Sequence, residues 1–389
     1  MFTLIKNAEV YAPEPLGRKS VLMAGEKVTW IGEDFPAERQ LPGLRVVEAA
    51  GMKLIPGIVD GHVHITGGGS EGGPQMRTPE LLLSDMIKGG VTTVIGVLGT
   101  DDVSRSLEAL VAKANGLVAE GMSAWCLTGS YQMPLKTVTG GIREDIVLID
   151  RIVGVGELAV SDHRSSQPTY DEFLQIAAAT RVGGILAGKS GLLNLHLGDG
   201  PRGIEYLFRA VRESEIPISQ YVPTHMNRNP DLFEQARKFA KMGGFVDFTT
   251  STTQQFLDEG EVACPQALEI LLADGIPASR ISFTSDGQGS MPMFDAKGEF
   301  AGMTIGRVTS NHQALVDCVA GAGIALEDAV RAVSTTTADH YRLPGKGHVQ
   351  EGGDADLLLL DESLGIRYVF ARGRMMMENG KPLAKGTFE

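Results

Sequence analysis

From Leu54 to Pro344 the chain alternates short apolar runs with helix-like stretches, and eight such runs can be counted. They are Leu54–Asp60, Val91–Val97, Ala124–Thr128, Ile152–Val160, Leu193–His196, Tyr221–His225, Phe245–Thr249 and Ile281–Ser285. A strand covered on both faces has no polar side to show, so it reads as an unbroken apolar run. Parallel strands also need a long return path, which the helix-like stretches supply. One of them runs from Asp231 to Met242 and stops at Gly243-Gly244. Eight βα units in one segment predict an α/β fold, a (β/α)8 TIM-type barrel rather than an open sheet.

The two ends of the chain differ from this middle. Phe2–Tyr11, Ser20–Ala24 and Lys27–Gly32 are β-rich, with Gly25-Glu26 as the turn between the last two. The tail repeats the style in Asp356–Leu360, Ile366–Gly373 and Arg374–Met377, with turns at Gly373 and Asn379-Gly380. We expect residues 1–53 and 345–389 to form a small β-sandwich domain built from both termini. Residues 54–344 would be the barrel, inserted between its halves.

Composition narrows the class. The 389 residues are 43% hydrophobic and 21% charged, which is ordinary for a globular enzyme. A formal net charge of −13 argues against nucleic acid or an anionic membrane as partner. No apolar run approaches the roughly 18 residues of a membrane span. The first residues lack the order of a signal peptide, so a cytoplasmic protein is expected. Cys126, Cys264 and Cys318 cannot all pair and none lies in a CxxC motif, which predicts buried thiols in a reducing compartment.

The strongest chemical signal is Asp60-Gly-His62-Val-His64, at the end of the first candidate barrel strand. Residues i and i+2 of a strand face the same side, so the two imidazoles point together into the barrel mouth. Two convergent imidazoles are half of a zinc site. His196, His225 and Asp286 each close another candidate strand. Alone, each could merely cap a neighbouring helix. Together they put three His-bearing segments and one Asp at the C-terminal face, where such barrels keep their active sites. The other histidines, His163, His312, His340 and His348, lack this placement and are expected to be structural or superficial.

These residues resemble the amidohydrolase superfamily. Its hallmarks are Pro56-Gly-Ile-Val-Asp-Gly-His-Val-His64 and the tail segment from Gly345 to Leu357. Within it the chain is most similar to the isoaspartyl dipeptidases (β-aspartyl peptidases). That narrower resemblance rests on Gly67-Gly-Gly-Ser-Glu71-Gly-Gly-Pro, Gly99-Thr100-Asp, Leu127-Thr-Gly-Ser-Tyr131 and Ser161-Asp-His-Arg164. Pro223-Thr-His225-Met-Asn-Arg228-Asn, Ser285-Asp286-Gly-Gln-Gly-Ser290 and the closing Lys385-Gly-Thr-Phe-Glu add to it. The resemblance spans nearly the whole chain.

It implies a centre of two Zn2+ ions bridged by hydroxide. His62 and His64 would bind one ion with Asp286, and His196 and His225 the other. Members of this family usually bridge the metals with a carboxylated lysine on the strand before the Ser-Asp-His-Arg motif. This chain has none there; the stretch reads Ile152-Val-Gly-Val-Gly156-Glu157-Leu-Ala-Val-Ser. By register from Ser161, Glu157 takes the bridging position, and a glutamate can give one oxygen to each metal. Buried unpaired in an apolar strand, it would be costly. A glutamate is much shorter than a carboxylated lysine, so the backbone must come closer to the metals. Gly154 and Gly156 flank Val155 just before it, and glycine in a strand often marks a bulge. We expect a bulge or kink near Gly156.

The same resemblance implies that Asp286 carries the proton of the attacking water to the leaving amine. It implies that the Tyr131 hydroxyl steadies the oxyanion. An isoaspartyl dipeptide has one amine and two carboxylates beside its scissile bond. Glu71 suits the amine, Arg164 and Arg228 suit the carboxylates, and Thr100 and Ser290 could add hydrogen bonds. The expected activity is therefore hydrolysis of small β-aspartyl dipeptides, by a chain that forms homo-oligomers as its relatives commonly do. The alternative is a cyclic-amide hydrolase of the dihydroorotase or hydantoinase type, which needs fewer charge contacts.

Overall fold

The computed structural model describes residues 2–36, 41–294, 297 and 299–389. Its centre is a curled sheet of parallel strands, and eight strands contribute in chain order. We number them β1 (Ile58–Val63), β2 (Val91–Gly96), β3 (Ser123–Thr128), β4 (Ile152–Val160), β5 (Leu192–Leu197), β6 (Tyr221–Thr224), β7 (Val246–Thr249) and β8 (Ile281–Thr284). Strands β1 to β6 pair in sequence order, and β7 pairs with β8. The Met226 amide donates to the Asp247 carbonyl across the gap between β6 and β7. The His64 amide donates to the Gly287 carbonyl and brings the end of β8 back to β1. Helices return the chain between strands, among them Leu107–Ala119, Tyr170–Ala187 and Pro230–Lys241. The last is the helix expected at 231–242, and Asn229 caps its first turn.

Every residue of β4, β5 and β6 is buried, which is why these strands read as unbroken apolar runs. The polar exceptions inside them include Glu157 and His196, while Asn194 and Thr224 bond to Tyr341 and Asp247.

The first candidate strand, Leu54–Asp60, is in fact two. Lys53–Pro56 pairs with the N-terminal strand Phe2–Tyr11 and with Leu357–Leu360, in a mixed nine-stranded sheet drawn from both ends of the chain. Only from Ile58 does the chain join the barrel. The sheets therefore part at Gly57, not at the 53/54 boundary read from sequence. A Cβ on Gly57 would come within 2.2 Å of Thr92 Oγ1, so only glycine lets the crossing pass so close to β2. Pro56-Gly57 interrupts the apolar run at this change of sheet, but the run was read through as one strand. The strand Leu44–Glu48, parallel to Phe2–Tyr11, was likewise not anticipated.

One residue of the Gly345–Leu357 segment ties the sheets together. Lys346 is buried, with Nζ 2.6 Å from Asp356 Oδ2, 2.7 Å from Asp354 Oδ2 and 2.6 Å from Ser123 Oγ on β3. A buried ammonium is tolerated only when paired in this way. Cys126, Cys264 and Cys318 are all buried and unpaired. Among the described residues no helix is long and apolar enough to cross a membrane.

Candidate active site

The C-terminal mouth of the barrel gathers the residues singled out above. His62 and His64 come from the end of β1, Glu157 from the middle of β4, and His196 from β5. His225 follows β6 directly and Asp286 lies two residues past the end of β8, and both have left-handed backbone, with φ of 63° and 52°. That conformation costs a non-glycine residue about 1–3 kcal/mol, and its clustering here marks a functional turn. All six side chains are buried.

Glu157 sits among them. Its Oε1 lies 3.3 Å from His64 Nε2. Its Oε2 lies 3.2 Å from His62 Nε2, 3.1 Å from His196 Nδ1 and 3.6 Å from His225 Nε2. Asp286 Oδ1 stands 3.1 Å from His64 Nε2 and 3.9 Å from His62 Nε2.

A bulge brings Glu157 this close. On β5, Leu193 pairs with Val155 but Leu195 pairs with Leu158, so three steps on β4 match two on β5. The extra residue falls at Gly156–Glu157, where the bulge was expected, and the peptide between them is cis. A Cβ on Gly156 would lie 2.7 Å from Leu127 Cδ1 and 2.8 Å from Asn194 Cβ. Gly156→Ala should therefore cost about 1–3 kcal/mol of stability. Chemical denaturation would read this as an earlier midpoint at unchanged slope; an unshifted midpoint would show that the space is not needed.

Several buried polar atoms here make no hydrogen bond: both ring nitrogens of His62, Nδ1 of His64, Nε2 of His225 and Oδ1 of Asp286. Each such orphan costs about 1–3 kcal/mol. A divalent cation is a partner that imidazole nitrogens and carboxylate oxygens readily share. Two sets have ligand atoms within 4.8 Å of one another: His62, His64 and Asp286, and His62, Glu157 and His225. The donor chemistry therefore fits bound metal. His196 is in neither set, although its Nδ1 faces Glu157. Its ring also meets the Tyr131 hydroxyl, 2.6 Å from Nδ1, and Asp162 Oδ2, 3.0 Å from Nε2. On His225, Nδ1 lies 2.6 Å from Thr249 Oγ1, which leaves Nε2 turned to the centre.

The electrostatics follow from this crowding. Burial works against the Glu157 charge, but His62 and the His196 and His225 imidazoles packed against it hold the carboxyl well below its usual range. Burial would also lower His62, yet Glu157 lifts it to about 9. For His225 burial wins, with Arg228 adding to it, and the imidazole is held neutral. Burial and the nearby Glu157 charge push the Tyr131 hydroxyl well above its ordinary value, so it keeps its proton.

Beside this cluster lies the charged set. Glu71 Oε1 is 3.1 Å from Arg164 Nη1 and accepts from Thr100 Oγ1 at 2.9 Å, while Ser290 also hydrogen-bonds its carboxylate. Burial would raise Glu71, but these partners keep it ionised. A cavity of about 300 Å³ is lined by Arg164, Arg228, Thr249, Asp286 and Met291 among others. Among the described residues the Arg228 guanidinium has no ion pair. His163 also lines this cavity, whereas His312, His340 and His348 lie against Leu364, Phe245 and Asp339.

Two contributors were missed from sequence. Asp162 is buried inside the Ser-Asp-His-Arg motif, which had been read only for its arginine. Arg105 is buried under the glycine-rich loop and donates to the carbonyls of Thr66, Gly68 and Thr78, fixing the segment that carries Glu71. Nothing in the local sequence distinguishes that arginine from a surface charge.

Known proteins match this arrangement. A family model described as the amidohydrolase family matches residues 220–376. The chain is 43% identical to a β-aspartyl dipeptidase from the thermophilic, keratin-degrading Fervidobacterium islandicum AW-1, solved in complex with β-Asp-Leu. That alignment covers 99% of this chain and 98% of the other, with a TM-score of 0.94. A further structure of the dipeptidase from that organism gives 42% identity, 99% coverage of both chains and a TM-score of 0.90. Adenine deaminase 2 of Carboxydothermus hydrogenoformans is 24% identical over 88% of this chain and 53% of its own length. The chain thus spans about half the length of the adenine deaminases it matches. Near-complete coverage at this identity places the chain in the β-aspartyl dipeptidase family of the amidohydrolase superfamily.

Proposed function

We propose that this chain hydrolyses β-aspartyl (isoaspartyl) dipeptides with two Zn2+ ions at the barrel mouth. The observation that carries this reading is one cavity lined by Asp286, Arg164 and Arg228, with Glu71 paired to Arg164. A β-aspartyl dipeptide bears its free ammonium and one carboxylate on the same carbon. The groups that bind them must then be neighbours, as Glu71 and Arg164 are. Glu71 takes the ammonium and Arg164 the adjacent carboxylate. Arg228 is left for the carboxylate of the departing residue, which a guanidinium can grip with two hydrogen bonds.

His62, His64 and Asp286 would hold one ion, and His196 and His225 the other. Glu157 would bridge, since its two oxygens face different histidines. Bound there, the ions supply a charge that polarises the amide carbonyl and a water acidic enough to attack near neutral pH. Asp286 accepts a proton from the attacking water. As the C–N bond breaks, it passes that proton to the leaving nitrogen, giving a free amine and an aspartate carboxylate. Tyr131, held protonated, donates to the oxygen where negative charge develops.

Amine release from β-Asp-Leu, α-Asp-Leu and dihydroorotate tests the reading. Turnover of the β-linked peptide alone, lost on chelation and restored by Zn2+, is the expected result. Turnover of dihydroorotate instead would point to a cyclic-amide hydrolase. Arg228→Met should lower kcat/KM for β-Asp-Leu by about two orders of magnitude, because a buried substrate carboxylate would lose its partner. The loss should shrink for an analogue without that carboxylate; an equal loss would place Arg228 outside the pocket.

A further inference from the structure

We propose that Asp162 is a positioning residue that sets the metal ligand His196 and the substrate-facing Arg164 at once; this rests on the reading above for what each of them binds. Asp162 is 4% exposed and its carboxylate is fully engaged. Oδ1 accepts from the Arg164 backbone amide at 2.7 Å and from Arg164 Nε at 3.0 Å. Oδ2 accepts from Arg164 Nη2 at 2.7 Å and lies 3.0 Å from His196 Nε2. One carboxylate therefore links an arginine of the cavity wall to an imidazole of the metal cluster.

Each contact has a chemical consequence. A neutral imidazole carries one N–H. Donating it from Nε2 to Asp162 leaves the lone pair on Nδ1, the nitrogen that faces Glu157 Oε2 at 3.1 Å. Without Asp162 the ring can move its proton to Nδ1 and close the position where an ion must bind. Partners of this kind fix the tautomer and angle of metal-binding histidines. On the arginine, the carboxylate grips the Nε–Nη2 edge and leaves Nη1 turned to Glu71. The arginine is thereby fixed before substrate arrives, with less side-chain freedom to lose on binding. Asp162 also lies five residues after Glu157, so a single strand and its turn carry both the bridge and the tether.

The test uses the full chain, freed of metal and titrated with Zn2+ against a chromophoric chelator, alongside steady-state kinetics on β-Asp-Leu. Asp162→Asn is expected to weaken one of two Zn2+ sites by about 10- to 100-fold. KM should rise by about tenfold or more, as expected for lost hydrogen bonds to a charged group. Arg164→Met should raise KM and leave both Zn2+ affinities unchanged. In the double variant the Zn2+ defect should persist while KM is no worse than in Arg164→Met alone. A folded Asp162→Asn chain with unchanged Zn2+ affinities and unchanged KM overturns the proposal, even if its melting temperature falls. Should the Asn variant not fold, Asp162→Glu serves; it shifts the carboxylate by one methylene and must disturb both readouts. If the wild type binds two Zn2+ but leaves β-Asp-Leu intact, the substrate reading fails and the Zn2+ titration alone decides the role of Asp162.

Discussion

Asp286→Asn should yield a chain that still binds β-Asp-Leu but turns it over roughly three orders of magnitude more slowly. The side chain is buried at the cavity wall, beside His64, and one of its oxygens has no hydrogen-bond partner. That oxygen, Oδ1, faces the candidate metal ligands beside His64, and the second oxygen of the carboxylate can receive a proton. Its pKa is lowered because the surrounding histidines outweigh the effect of burial, so it starts as the ionised base. An asparagine keeps the shape and one oxygen that can still face a cation, but it can neither take nor return the proton. Substrate binding depends on Glu71, Arg164 and Arg228 and should survive. The check is kcat with metal content measured on the same sample. A near-normal kcat in a fully loaded Asp286→Asn chain would remove the residue from proton transfer.

Glu157→Lys should abolish metal-dependent turnover, and added bicarbonate should not restore it. The substitution removes the carboxylate that faces His62, His64, His196 and His225 and puts a cation among them. Breaking a buried charge cluster from one side costs about 3–5 kcal/mol, most of it felt as lost metal affinity. Carboxylating the new lysine would supply a carboxylate, but at the wrong reach. Its carbon lies six bonds from Cα, whereas that of glutamate lies three. The bulge at Gly156 sets Glu157 within 3.1–3.6 Å of four histidines, a reach that suits the shorter side chain. For the same reason, reconstitution of the wild-type chain with Zn2+ should not depend on bicarbonate. Bicarbonate rescue of Glu157→Lys to wild-type rates would show that the backbone can relax, and that the bulge does not set the reach.

How much of this was legible in the sequence depends on the kind of contact. The eight parallel strands were readable because burial on both faces removes polar residues from them, and His62 with His64 because a strand repeats every second residue. The bulge was readable from a mismatch: a short acid where relatives have a long one, beside Gly154 and Gly156. The split at Gly57 was passed over although Pro56-Gly57 interrupts the run, because Leu54, Ile55 and Ile58 are apolar in either sheet. Asp162 stood in view inside a motif, but its role depends on His196, which lies 34 residues away on the next strand. Arg105 was invisible for a similar reason. It binds backbone carbonyls, and carbonyls leave no trace in the identity of residues 66, 68 and 78. Local periodicity is written in the letters; a polar contact between distant segments is not, unless both partners belong to a familiar motif.

The extra residue in β4 also bears on how such a centre can change over generations. A straight strand would suit a long modified lysine as a bulged strand suits a short glutamate, two separate solutions to one reach. Exchanging the side chain alone leaves the carboxylate too far or too near, and exchanging the backbone alone does the same. A lineage moving from one to the other must alter the strand pairing and a codon together, or pass through a descendant that holds metal poorly. Homologous chains should accordingly fall into two discrete groups at this position, with the bulge inherited alongside the acid.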